Sequence, residues 1–194
     1  MHRAIYMGAL LMWVLTAEGA VAWPGGLGTC VAGQPRAGTT AQRAPVSPYV
    51  DPATGTTMTL SRRGNGPVLL TAVTAGLQVT KQVTPTGTFD LRLETATDTV
   101  RVVVNGNRMH VGRGNKKAVL DADALDDMAL PRIQVVLAGS PAVRQFRQVF
   151  ASLDDTTRRR PEGAALAVID AVLGWLQGDV DAVRRARPRA ASPK

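Results

Sequence analysis

The chain has 194 residues, which allows one modest domain with extensions. Hydrophobic residues make up 45% and charged residues 20%, so the sequence can bury a core and is not disordered throughout. Aromatic residues are only 4%, which argues against sugar-stacking platforms and single-stranded nucleic-acid grooves, and we expect no nucleic-acid partner. The formal net charge of +8 favours anionic partners.

The N-terminus has the three parts of a bacterial-type export signal. Arg3 precedes an apolar run over residues 4–15, which leads to an A-x-A signature at residues 20–22. The run is too short to span a bilayer comfortably. We therefore predict that residues 1–22 are a signal peptide cleaved after Ala22, and that the protein is exported to the periplasm or secreted. The alternative is an uncleaved anchor or a buried N-terminal helix.

Cys30 is the only cysteine, so the chain cannot form an internal disulfide. The four residues 27–30, LGTC, have a weak similarity to a bacterial lipobox, in which the cysteine becomes a lipidated N-terminus. Thr29 is a poor residue before such a cut. An unmodified thiol is therefore our main interpretation, and a lipoprotein anchored through Cys30 is the alternative.

Residues 23–56 have the composition of a flexible linker. Prolines alternate with glycine, threonine and alanine, and neither the strand period nor the helix period is present. Such a segment buries too little apolar area to offset the entropy lost on ordering. The prolines are Pro24, Pro35, Pro45, Pro48 and Pro52.

From Thr57 onward the alternation of apolar and polar residues predicts β-strands. One strand is predicted around residues 77–83 and another over residues 89–94, with turn residues at positions 85–87 between them. We predict an antiparallel meander of about 5–7 strands over residues 57–121. The predicted inward side chains of these two strands are Leu77, Val79, Val83, Phe89, Leu91 and Leu93; Gln78, Thr80, Gln82, Asp90, Arg92 and Glu94 are predicted to face outward.

The segment 100–117 combines three glycines, a histidine and several basic residues, so a phosphate-binding loop is one interpretation. It contains neither G-x-x-x-x-G-K-[ST] nor G-x-G-x-x-G leading into a helix. Asn105-Gly106 instead favours a hairpin turn; a turn at Gly106-Asn107 keeps the same faces, and Gly114-Asn115 predicts a second turn. The predicted inward side chains are Val100, Val102, Val104, Met109, Val111, Ala118 and Leu120.

The outward side chains of this segment form the candidate site. Arg101, Arg108 and His110 lie side by side in the predicted sheet and together make a speculative anion site. Our main interpretation is an ordinary charged sheet face, with these bases paired to the acids among Asp90, Arg92 and Glu94 on the next strand, and the anion site is the alternative. His110 is the only histidine outside the leader, so it would have to serve any Ser-His-Asp hydrolase at this polar face.

Catalytic and metal sites are otherwise not indicated. No serine stands in a G-x-S-x-G motif, and we assign no catalytic residue. The acidic run at residues 121–127 lacks the glycine and glutamate that an EF-hand loop requires. We expect Asp121 or Asp123 to cap a helix instead, and we predict no metal and no cofactor.

After Leu120 the period changes, and C-terminal helices are predicted over residues 122–183. A short helix is expected over residues 133–138 after an interruption at Pro131, and Ser140 and Pro141 are predicted to start the next helix as N-cap and first residue. A last helix begins at Pro161. It is apolar nearly all round, so it is expected to pack in the core; a protein-partner surface at Trp175 and Leu176 is the alternative.

Strands followed by helices predict an α+β fold, an antiparallel sheet with one face covered by the helices, in a single domain over residues 57–183.

Residues 184–194 form a predicted disordered basic tail with five bases and no acid: Arg184, Arg185, Arg187, Arg189 and Lys194. The tail is expected either to contact anionic envelope lipids or polymers, or only to raise solubility. The predicted function is an exported, non-catalytic envelope or secreted binding or scaffold module; a hydrolase-like enzyme using His110 is the alternative.

Overall fold

The structure is a computed structural model that describes residues 48–62, 64–124 and 126–178. The predicted signal peptide, most of the predicted linker and the basic tail lie outside these residues. Each strand of the described part pairs antiparallel with the next one in the chain, in the order β1 to β8. The predicted α+β meander is confirmed, with eight strands rather than 5–7: β1 (Tyr49–Val50), β2 (Thr57–Arg62), β3 (Val68–Thr74), β4 (Leu77–Val83), β5 (Phe89–Glu94), β6 (Thr99–Asn105), β7 (Arg108–Arg113) and β8 (Lys116–Asp121).

The sheet begins before residue 57. Tyr49 pairs with Met58 and Val50 with Thr57, so the end of the predicted linker contributes a short edge strand. Asp51, which follows directly, is completely buried. Apolar alternation could not reveal this stretch, because a buried carboxylate and its hydrogen bonds hold it.

The predicted faces of the central strands are confirmed. Leu91, Leu93, Val100 and Val102 are completely buried, and the remaining predicted inward positions are buried apart from Val83, which is half-buried. The inner face also contains Lys81, which is 2% exposed, with its Nζ 5.8 Å from the centre of the Phe89 ring. Strand alternation places Lys81 inward with Leu77 and Val79, although its charge alone would suggest an outward position.

The β6–β7 hairpin takes the second of the two predicted registers. Val104 pairs with Met109 and Asn105 with Arg108, so Gly106 and Asn107 form the turn. The φ of Gly106 is +56°, a value that glycine adopts without steric cost. The next hairpin turns at Gly114-Asn115, as predicted, with Arg113 paired to Lys116.

In the described residues four helices follow the sheet and cover its inner face: α1 (Ala129–Leu137), α2 (Pro141–Ala151), α3 (Asp155–Arg158) and α4 (Pro161–Leu176). Helix α1 contacts β7 and β8, α2 contacts β4, β5 and β6, and α4 contacts β2 and the other helices. Ser140 caps α2 by accepting a hydrogen bond from the Val143 N–H, and Pro141 is its first residue, both as predicted. Helix α4 is buried along most of its length, as expected for a helix that is apolar nearly all round.

Two details at the start of the helical part were predicted wrongly. Helix α1 begins at Ala129, and Pro131 lies in its first turn, where a helix does not need the missing N–H. Asp121 and Asp123 do not cap it: Asp121 ends β8 and accepts the Asp123 N–H at 3.0 Å. Asp126 instead accepts a hydrogen bond from the Met128 N–H, at 2.9 Å, just before the helix begins.

Helices α3 and α4 pack unusually closely at Gly163. A Cβ atom at this position would lie 2.1 Å from the Thr157 carbonyl oxygen and 2.8 Å from the Arg158 Cα. These are backbone atoms, which cannot rotate away as a side chain would. Gly163 is therefore required by packing even though it lies in a helix.

Candidate functional site

The outer face of the sheet is divided into two halves by charge. The outward positions of β2–β4, here called the uncharged half, carry no ionisable side chain: Thr57, Thr59, Ser61, Leu69, Thr71, Val73, Gln78, Thr80 and Gln82. The outward positions of β5–β8, the charged half, include all three residues of the predicted anion site. The ionisable residues there are Asp90, Arg92, Glu94, Arg101, Arg108, His110, Lys117 and Asp121.

Arg101 forms a two-point ion pair with Asp90 on the neighbouring strand. Its Nε lies 3.1 Å from Asp90 Oδ1 and its Nη2 lies 2.6 Å from Oδ2. This carboxylate, by hydrogen bonding and then by its charge, raises the pKa of the Arg101 guanidinium. The expected pairing of Arg101 with an acid of β5 is thus present.

Arg108 pairs with Asp121 of β8 rather than with an acid of β5, at 2.8 Å between Nε and Oδ2. The hydrogen bond from the Asp123 N–H, followed by the bond from Arg108, lowers the pKa of Asp121. The predicted site therefore contains two arginines, and each is held by its own carboxylate. Exposed pairs of this kind contribute little to stability.

His110 is exposed and lies between the two arginines. Its cross-strand neighbours are Val103 and Val119, and Arg108 lies two residues before it on the same face. A Ser-His-Asp arrangement needs a hydroxyl and a carboxylate on the two sides of the imidazole. The cross-strand positions beside His110 supply two apolar side chains instead.

Gly112 and Lys117 also lie on the charged half, and neither was part of the predicted anion site. Gly112 pairs with Arg101 on one side and with Lys117 on the other, so all three occupy one row across the sheet. Arg92 pairs with Arg101 and extends this row to β5. The row could be found only once the register was known, because its members are far apart in the sequence.

Two buried carboxylates lie away from the outer face, and both bind the helices to the sheet. Asp51 accepts hydrogen bonds from the hydroxyls of Thr157, at 2.5 Å, and Thr54, at 2.7 Å, and from the N–H groups of Thr54 and Asp154. Burial acts to raise the pKa of Asp51, but these hydrogen bonds outweigh it and the pKa is lowered. The donors belong to the turn after β1 (Thr54) and to the start of α3 (Asp154 and Thr157). Asp51 therefore joins these two parts of the fold.

Asp98 does the same at the start of α2. It accepts hydrogen bonds from Arg113 Nε at 2.7 Å, from the Ser140 hydroxyl at 2.5 Å and from the Ala142 N–H at 3.2 Å. Burial acts to raise the pKa of Asp98, but the bonds from Ser140, Arg113 and Ala142 and the charge of Arg113 lower it overall. Arg113 also donates to the carbonyl of Ala138 at 2.8 Å.

A small cleft lies between the sheet and helices α2 and α4, with a volume of about 10 Å³, which is room for about one water molecule. None of the side chains that line it is ionisable, so it offers no general acid or base. Within the described residues no group of three or more histidine, cysteine or acidic side chains has a metal-binding arrangement. The lining residues are Thr56, Ala72, Thr74, Leu77, Val79, Phe146, Val149, Phe150 and Leu166.

The other predicted contact residues are at the C-terminal end. Leu176 is completely buried and Trp175 is partly buried against the core. The four tail arginines, Arg184, Arg185, Arg187 and Arg189, lie outside the described residues, as does Cys30. In the part of the chain from residue 48 to residue 178 that is described, none of the helices has both the length and the apolar character needed to cross a bilayer.

Comparison with protein-family models, with curated proteins and with solved structures gave no match. The chemistry of the chain itself is therefore the guide to its function. The relevant observations are the paired charges of the sheet, the structural use of the two buried carboxylates and the distribution of net charge.

Proposed function

We propose that the protein is an exported, non-catalytic binding module of the cell envelope that attaches to anionic surfaces through its basic tail. The observation that carries this proposal is the uneven distribution of charge. The described residues contain 14 arginines and lysines against 12 aspartates and glutamates, a net charge of +2. Residues 184–194 carry five bases and no acid, which is five of the eight net charges in about one-twentieth of the chain.

The state of the acids supports a non-catalytic role. The two buried carboxylates, Asp51 and Asp98, have their oxygens occupied by hydrogen bonds within the fold. A general acid or base needs access to a substrate and a pKa near the working pH, whereas the pKa values of these groups are lowered. They act as structural connections between sheet and helices.

The expected attachment is electrostatic and reversible. Each base close to an anionic membrane surface contributes about 1 kcal/mol, so five bases are enough for measurable binding. The interaction must weaken with salt, because screening shortens the range of the field to about 8 Å at physiological ionic strength. An anionic envelope polymer would be recognised by the same charges.

Cosedimentation with phospholipid vesicles tests the proposal. Full-length protein is compared with a variant in which the four tail arginines are replaced by glutamine, and with a charge-preserving control in which they are replaced by lysine. We expect full-length protein and the lysine variant to bind anionic vesicles but not neutral ones, with binding that falls as salt rises. The glutamine variant is expected to lose most of this binding. Equal binding by the glutamine variant, or no binding by any form, would reject the proposal.

A further inference from the structure

Gly112 lies within β7, where the sheet gives no reason for a glycine. It pairs in regular register with Arg101 of β6 and Lys117 of β8, so it does not mark a bulge. It is absent from the described glycines that have positive φ, so its backbone conformation is open to any residue. A glycine inside a strand lowers stability relative to alanine.

Packing does not require the glycine either. A Cβ atom at Gly112 would meet nothing closer than the Lys116 carbonyl oxygen at 3.9 Å, which is an ordinary contact distance. Gly106 and Gly114 differ, because each stands in a hairpin turn with positive φ. Close approach of a ligand or of another backbone is a further reason for a glycine inside a strand.

The missing side chain leaves a notch between two cations. Arg101 and Lys117 lie on either side of Gly112 in one row, two strand spacings apart, so their Cα atoms are separated by about 10 Å. Both side chains are exposed on the charged half. Asp90 holds the Arg101 guanidinium toward β5, so a group over the glycine would be reached by Lys117 from β8 and by the N–H groups of Arg101 that Asp90 leaves free.

Both cations have donors to spare. Arg101 uses Nε and Nη2 for Asp90, and a guanidinium has five N–H groups, so three remain. Lys117 forms no ion pair with any described carboxylate, and its ammonium has three donors. His110 and Arg92 occupy the adjoining outward positions, and Arg92 pairs with Glu94 at 3.1 Å.

We infer that the notch over Gly112 binds a phosphate-type oxyanion between Arg101 and Lys117. The ligand is either a free phosphate group or the phosphate of a lipid headgroup. The notch would be a second site that contacts anions, on the folded domain, in addition to the tail proposed above. It rests on that proposed function only where the headgroup is the source.

Titration of isotope-labelled full-length protein with inorganic phosphate, followed by NMR, tests the notch directly. We expect saturable chemical-shift changes at the amides of Gly112 and its neighbours on β6 and β8. Gly112→Val fills the notch with a side chain suited to strands and should abolish these changes, whereas Thr80→Val, in the same row on the uncharged half, should leave them intact. Denaturant midpoints at or above the wild-type value would show that the Gly112→Val fold is kept.

Removal of the lysine gives an independent measurement. Lys117→Gln is expected to weaken phosphate binding about fivefold, the effect of one base near an anionic group. Arg144→Gln, which removes an exposed arginine of α2, is the matched control and should have no effect. Absence of saturable shifts in the wild type, or shifts of the same size in Gly112→Val, would overturn the inference.

Vesicles distinguish the two sources. The variant with four tail glutamines removes the tail contact, and Gly112→Val removes only the notch. If the headgroup is the source, Gly112→Val weakens binding to anionic vesicles in both tail backgrounds; if free phosphate is the source, it changes the phosphate titration alone. Failure of the tail proposal would appear in the glutamine variant and leave the phosphate titration unaffected, so the two outcomes are separable.

Discussion

The Ser140 hydroxyl lies 2.5 Å from a carboxylate oxygen of Asp98, and the two residues are 42 positions apart in the chain. Ser140 is the N-cap of α2 and Asp98 lies in the turn between β5 and β6. One contact therefore fixes the start of a helix to one end of the sheet. Arg113, whose side chain is 22% exposed, completes the arrangement from β7.

We predict that Asp98→Ala lowers the free energy of unfolding by about 2–4 kcal/mol, because it leaves Ser140 and the Ala142 N–H without their acceptor and Arg113 without its partner. Asp90→Ala, which breaks the exposed pair with Arg101, should change it by less than about 1 kcal/mol. Urea unfolding of both variants measures the difference. Similar losses in the two variants would mean that Asp98 has no special role in holding α2.

Stability is expected to fall on acidification because of Asp51 and Asp98. Their pKa values in the folded protein lie below the ordinary value, so the unfolded chain binds more protons, and the stabilisation is present above about pH 4 and lost as pH falls through the folded pKa values. Unfolding free energies measured from about pH 2 to pH 7 should show this decline. The double variant Asp51→Asn, Asp98→Asn should be less stable at neutral pH and show a shallower decline. A decline as steep as in the wild type would assign the effect to other carboxylates.

The face assignment of the β6–β7 hairpin gives a sharper contrast. Val102→Asp should lower the free energy of unfolding by roughly 3 kcal/mol or more. Val102 is completely buried, and a carboxylate placed there would have no adjacent partner of opposite charge. His110→Ala removes an exposed side chain and should change it by less than about 0.5 kcal/mol. Denaturant midpoints are sufficient to compare the two. Equally large losses would contradict the assignment of the faces.

Gly163→Ala is predicted to destabilise the protein although it replaces glycine by the best helix-forming residue. The propensity gain is about 1 kcal/mol, but the new methyl group would lie 2.1 Å from the Thr157 carbonyl, so α3 and α4 must separate. Gly112→Ala is the control with open space and should be neutral or stabilising. Thermal unfolding measures both changes. A Gly163→Ala variant with a raised midpoint would show that the helices can separate without loss.

The mass of the exported protein tests whether the predicted signal peptide is cleaved. We expect intact-mass measurement of protein from the exported fraction to give a chain that begins at Trp23, because Arg3, the apolar run and the A-x-A site occur in the order that signal peptidase requires. A chain that still begins at Met1 would contradict cleavage. A chain that begins at a lipidated Cys30 would instead select the lipoprotein alternative.

Local patterns predicted the parts of the fold that local physics determines. Alternation placed Val102 inward, and Ser140-Pro141 predicted the start of α2, since each depends on a few neighbouring residues. The sequence did not predict the burial of Asp51, whose partner Thr157 is 106 residues away. The pairing of Arg108 with Asp121 was missed for a different reason: the predicted turn at Gly114-Asn115 places β8 beside β7, but Asp121 was expected to cap a helix.

The candidate site was predicted in part. Arg101, Arg108 and His110 were correctly expected on the outer face, which follows from alternation alone. The notch at Gly112 was not predicted, because a glycine near a turn is most simply explained by the turn. Only the pairing of Arg101, Gly112 and Lys117 separates it from the turn glycines.

Within the described residues all eight strands precede the four helices, and this order has a consequence for biogenesis. Each strand finds its partner in the next one, so hairpins can form one after another as the chain emerges. Helices α1 and α2 cover β4–β8 first, but β2 has no helical cover until the residues of α4 are available, which requires the chain to be complete to residue 176. A nascent chain that stops short of this point leaves the apolar positions around β2 exposed, and exposed apolar surface favours aggregation.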